Sequence, residues 1–144
     1  MRYLALDLGE RRVGVALSDV TGTLARPLEV FKRASRVADF AHVAELVQRH
    51  HAEALVVGLP LQMSGAAGTR TAWTRNYSKA LAKVVEVPIH FWDERLTTVE
   101  AEGIMLAQGK TPDKNWIDAV AAAVILQGFL DAQHKTQEVI KYDE

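Results

Sequence analysis

Two apolar runs of β character open the chain, Tyr3–Leu8 (YLALDL) and Val13–Leu17 (VGVAL), with only Gly9-Glu10-Arg11-Arg12 between them. Four residues cannot carry a crossover, so the two runs must pair antiparallel as a hairpin. A third extended stretch, Leu24–Phe31, follows the turn signal Thr21-Gly22-Thr23, and Pro27 restricts it to an edge or irregular strand. The first quarter of the chain is therefore predicted to be an antiparallel meander.

The apolar period then changes. Phe40, Val43, Ala44 and Val47 recur every three or four residues, which predicts a helix over 36–50. Ala54–Val57, ending at Gly58, is a continuous apolar run suited to a strand buried on both faces. Helical periodicity returns over 71–85, a strand is predicted at 87–92, and Thr97 or Thr98 is placed to cap a helix reaching about Gln108. A polar break at 109–115 precedes a strongly apolar helix over 116–132, and 134–144 is expected to be a polar tail after a single domain of 1–133. The order βββ-α-β-α-β-α-α implies an α/β fold: a mixed five-stranded sheet, the β1-β2-β3 meander plus helix-linked parallel strands, flanked by helices.

Composition narrows the chemistry. The 144 residues include no cysteine, which excludes disulfides, a thiol nucleophile and Cys-ligated metal. No stretch reaches the ~18 apolar residues of a membrane span, and the N-terminus lacks the pattern of a signal peptide. A cytoplasmic protein with no membrane partner is expected. The net charge of −1 conceals a gradient: residues 1–36 carry seven basic and four acidic side chains, residues 101–144 four basic and seven acidic. An anion-binding surface would draw on the first third.

Three carboxylates stand out. Alternation along 3–8 puts Asp7 on the face of Tyr3 and Ala5, opposite Leu4, Leu6 and Leu8. A carboxylate near the end of a central apolar strand is costly to bury unless it is paired or binds metal. Asp93-Glu94 follow a buried strand at its carboxyl end, where open α/β sheets place their sites; one of the two can face the site while the other pairs with Arg95. Asp118 lies in the first turn of an apolar helix whose Ala119, Ala121, Ala122 and Ala123 permit close packing on a sheet. Oxygen ligands on separate elements suit Mg²⁺ or Mn²⁺. The loop 58–70 joins a buried strand to a helix but matches neither GxxxxGK[ST] nor GxGxxG. The five histidines show no metal-ligand spacing.

Read together, LDLGERRVGVALSD (6–19), VVGLPLQMSGAAG (56–68), DERLTTVEAE (93–102) and IDAVAAAVILQGFLD (117–131) resemble the YqgF/RuvX family of ribonuclease H-like proteins. The resemblance spans Leu4 to about Leu130. It implies a ribonuclease H-like fold and a metal-dependent nuclease site of three acids, which by motif are Asp7, Glu94 and Asp118. It also implies, as substrate, the 5′ end of the 16S ribosomal RNA precursor, with Holliday-junction resolution on branched DNA as the alternative. A non-catalytic nucleic-acid-binding module is the alternative of another class. Gln62 and Ser64 stand where the family commonly has Asn and Asp, and Ala121 and Ala122 stand where resolvases often carry a further acid. Arg11, Arg12 and Arg95 are expected to steer phosphates, and Arg70 and Arg75 to hold the flanking strand. The chain is expected to act as a monomer or homodimer.

Overall fold

The computed structural model describes residues 1–96 and 116–142, with side chains as far as Lys135. The predicted helix beginning at Thr97 or Thr98 and the polar break at 109–115 lie outside the described residues.

The opening meander is β1 (Tyr3–Leu8), β2 (Arg12–Ser18) and β3 (Ala25–Lys32). Helix α1 (Arg36–Arg49) leads to β4 (Ala54–Leu59), α2 (Thr69–Val85) leads to β5 (Ile89–Asp93), and a short 3₁₀ turn covers Glu94–Leu96. Helix α3 (Trp116–Tyr142) closes the described chain. The sheet order is β3-β2-β1-β4-β5, with β1 antiparallel to β2 and parallel to β4. This is the mixed five-stranded sheet that the element pattern predicts. β3 is an edge strand, and the register slips between Val15 and Ala16, which face Glu29 and Pro27. Leu28 is thus the extra residue of a bulge beside the proline, which has no N–H for the ladder.

Several boundaries differ from the periodicity. α2 begins two residues early because the Gly68 N–H donates to Thr71 Oγ1, and the Thr71 hydroxyl in turn donates to the Pro60 carbonyl. β5 begins after Pro88, whose carbonyl accepts from Leu55 N–H at 2.9 Å. α3 runs on to Tyr142, past the expected end at Ala132. The residues beyond Ala132 include no glycine or proline, and Gln, Lys and Glu propagate a helix at little cost.

The sheet separates two cores. On one side Leu4, Leu6, Leu8, Val13, Val15 and Leu17 pack against α1 and α2 through Val43, Leu46, Tyr77 and Leu81. On the other side the buried sheet residues are small or slim, Ala5, Ala16 and Val56, and meet α3 through Val120, Ala123, Val124 and Phe129, with Tyr3 and Trp92 partly buried against the same cluster. The second face therefore holds its helix close to the backbone of the sheet. β4 is buried along its whole length, as expected of a strand covered on both faces. Burial of each large aliphatic side chain here contributes roughly 1.5–3 kcal/mol.

Candidate active site

Asp7 is the penultimate residue of β1, the central strand, and shares the α3 face with Ala5. Its antiparallel partner on β2 is Gly14. On the other flank, Gly58 follows Val57, the parallel partner of Leu6. Both neighbours of Asp7 thus lack a side chain on the face where helix α3 lies, and the space is used. A β-carbon at position 14 would stand 1.9 Å from the Asp118 carbonyl oxygen, and one at position 58 would stand 2.8 Å from Glu94 Oε1. The two glycines admit the first turn of α3 from one side and the Glu94 side chain from the other.

The result is one buried carboxyl with two others against it. The Asp7 carboxyl is pushed up from 3.8 to about 7, first by burial, then by the charge of Glu94 and a hydrogen bond with it, then by Asp118. Arg70 opposes this rise. Glu94 is also pushed up by burial, with Asp93 adding to it and Arg70 and the bond to Asp7 opposing. Two carboxyls can share a hydrogen bond only when one carries a proton, and crowding against Glu94 raises the affinity of Asp7 for that proton.

The adjacent acids separate by partner. Asp93 is engaged by Arg95, with Nη2 at 2.6 Å from Oδ2, and Arg95 N–H also donates to Asp93 Oδ1. Arg95 further donates through Nη1 to the Met63 carbonyl, tying the 3₁₀ turn to the loop after β4. Glu94 is left to point at Asp7. Asp118 is held by Arg12, whose Nε is 3.0 Å from Oδ2. Among the described residues no three acidic or imidazole side chains form a ready-made metal cage.

The basic residues divide likewise. Arg70 donates to the Leu8 carbonyl and lies within electrostatic reach of both Asp7 and Glu94. Arg11 is exposed in the β1–β2 turn. Arg75 stands apart from the acids: its guanidinium lies 5.4 Å from the centre of the Phe91 ring and lines a separate cleft with Ser78 and Lys79. The close approach at Gly14 and Gly58 escaped the motif reading. An isolated glycine inside a strand pattern is the signal that points to it.

The donor set suits a hard divalent cation. It is all oxygen, it can carry up to three negative charges on the half-buried Asp7, Glu94 and Asp118, and the upward push on Asp7 marks where positive charge is wanted.

The fold is of the ribonuclease H-like class, and the acids stand at the end of its central strand. Two solved structures share the fold. Thermus thermophilus RuvC in complex with a Holliday junction substrate superposes with a TM-score of 0.60 at 20% identity, covering 93% of this chain and 96% of that one. The fowlpox virus resolvase complex with Holliday junction DNA superposes with a TM-score of 0.59 at 8% identity, covering 92% and 99%. The family model described as "RuvX: Holliday junction resolvase" matches residues 1–132, and the chain belongs to the RuvX family. Proteins from Anaeromyxobacter sp. (strain Fw109-5) and Caldanaerobacter subterraneus subsp. tengcongensis carry the name "Putative pre-16S rRNA nuclease". They are 44% and 41% identical, cover 93% and 92% of this chain, and are themselves covered over 99% and 98% of their lengths. No helix among the described residues is long and apolar enough to cross a membrane.

Proposed function

We propose that this chain is a divalent-metal-dependent endonuclease that hydrolyses RNA phosphodiesters at the 5′ end of the 16S ribosomal RNA precursor, in the cytoplasm. The observation that carries the reading is the Asp7 carboxyl at the end of the central strand, pushed up to about 7 first by burial and then by Glu94 and Asp118. The name of the full-length relatives supplies the substrate.

Asp7 and Glu94 would hold Mg²⁺ or Mn²⁺, and Asp118 would complete the site and orient the attacking water. A bound divalent ion supplies Lewis-acid stabilisation of charge on the phosphoryl oxygens and favours deprotonation of water at neutral pH. The remaining work falls to the chain. Asp7 and Glu94 must give up their shared proton before they can serve as anionic ligands. Arg70 offsets the charge of the acids and meets the phosphate next to the scissile one. Arg12 orients Asp118. Arg11, Arg95 and, farther along α2, Arg75 contact the flanking strand.

A second reading, resolution of a four-way DNA junction, is favoured by the description of the family model. It calls for a symmetric dimer to cut two strands. Incubation with a 16S precursor RNA and with a four-way junction, each with Mg²⁺ or Mn²⁺, separates the two. Cutting of the RNA alone by a monomer supports the first reading, and cutting of the junction alone by a dimer replaces it with the second.

A further inference from the structure

A second concavity adjoins the acids on the other face of the sheet. It is a cleft of about 270 Å³ lined by Gly9, Glu10, Arg33, Thr69, Arg70 and Trp73. Trp73 packs against the side of the sheet that carries Leu4, Leu6 and Leu8, whereas Asp7 faces α3. The cleft and the acids therefore lie on either side of the end of β1, and Arg70 belongs to both: it lines the cleft and acts electrostatically on Asp7 and Glu94.

Arg33 and Trp73 form the base of the cleft. The Arg33 guanidinium sits 4.4 Å from the centre of the Trp73 ring, a cation–π contact. Its Nη1 donates to the Gly9 and Glu10 carbonyls at 3.0 and 2.9 Å, which fixes the plane of the group. Trp73 in turn lies against Tyr77, tilted by 30° with centroids 5.0 Å apart. An arginine plane and a half-buried indole, already ordered, are what an unpaired base uses as a platform. Pre-ordering removes part of the cost of binding. The volume lies just below the roughly 300–1,000 Å³ of drug-sized sites, so it suits one nucleotide and excludes a duplex. The exposed Glu10 carboxylate stands 3.9 Å from Arg70 Nη1 on the same rim. That carboxylate disfavours a cluster of phosphates there and leaves one phosphate beside Arg70 as the matching charge.

We propose that this cleft takes one unpaired nucleotide of the RNA strand next to the phosphodiester at the acids, with its base on the Arg33–Trp73 stack and its phosphate at Arg70. The inference rests on the nuclease reading above and deepens it: cleavage would be directed to a bond that adjoins an unpaired nucleotide.

The test is binding of a labelled single-stranded RNA octamer in EDTA, followed by anisotropy, with an abasic site placed at each position in turn. One abasic position is expected to weaken binding to the wild type by about 5- to 150-fold, the range that base–aromatic stacking gives. Trp73→Ala should lose the same factor and become insensitive to that abasic site, and Trp73→Phe should restore most of the affinity. The abasic series changes only the RNA, so it stands even where a variant folds poorly. Equal binding of every abasic octamer by the wild type would overturn the proposal. Cutting of the unmodified octamer with Mg²⁺ is read separately. RNA cut without any abasic sensitivity defeats the subsite alone, whereas abasic-sensitive binding with no cutting of any RNA defeats the nuclease reading.

Discussion

Gly14 of β2 lies directly beneath the Asp118 backbone, so close that a β-carbon at position 14 would stand 1.9 Å from the Asp118 carbonyl oxygen. The residues are 104 positions apart in the chain. Gly14 is also the cross-strand partner of Asp7. One missing side chain therefore sets the distance between two of the three acids.

Gly14→Ala should push the first turn of α3 off the sheet. Backbone, not a flexible side chain, stands in the way, so the cost falls at or above the ~1–3 kcal/mol of ordinary overpacking. Denaturant unfolding should show this loss. Nuclease activity should fall further than stability, because Asp118 moves away from Asp7. Unchanged activity in a folded Gly14→Ala protein would contradict the role given to this contact.

Asp7 makes the metal-free protein sensitive to pH in a definite direction. In the unfolded chain its carboxyl titrates near 3.8, and in the folded chain at about 7. Between those values the folded state holds more protons, so stability falls as pH rises. The contribution is complete below about pH 4 and lost once pH passes about 7. Glu94, also raised, adds in the same sense. With EDTA present, Asp7→Asn should flatten this slope and stabilise the protein at pH 8 by roughly 2–4 kcal/mol, measured by urea unfolding across pH.

A divalent ion should reverse that penalty. At pH 7.5, Mg²⁺ or Mn²⁺ at 100 times its Kd should raise wild-type stability by about 2.7 kcal/mol. Binding should release protons from the Asp7–Glu94 pair, seen as a buffer-dependent heat in titration calorimetry. Asp7→Asn should lose both effects.

Arg70→Gln should weaken RNA binding and lower the slope of log affinity against log salt by about 1, since one phosphate contact disappears. It should also move the titration of Asp7 upward, because Arg70 is the charge that opposes the rise. Binding titrations at several salt concentrations check the first expectation and pH-dependent unfolding the second.

Much of this arrangement is legible in the residues themselves. The four-residue gap at Gly9–Arg12 dictates the hairpin, and strict alternation puts Asp7 on the face of Ala5, away from Leu6 and Leu8. The choice between Asp93 and Glu94 is partly local, since Arg95 two residues on claims Asp93, and partly not, since Glu94 needs the empty side-chain space at Gly58. The close approach of α3 to Gly14 depends on packing across the whole fold, so no window of sequence contains it. The extension of α3 to Tyr142 follows from intrinsic propensity, whereas an expectation built on apolar periodicity ends the helix where the periodicity ends.

The assignment of Asp7 and Glu94 to a metal-dependent RNA-cutting site is tested most directly by single-turnover cleavage of a 16S precursor RNA with Mg²⁺ or Mn²⁺. Wild type should cut the precursor near its 5′ end, while Asp7→Asn and Glu94→Gln, folded and still binding RNA, should cut at least about a thousandfold more slowly, a barrier increase of roughly 4 kcal/mol. Cleavage at the wild-type rate by either variant, or by wild type in excess EDTA, would contradict the account.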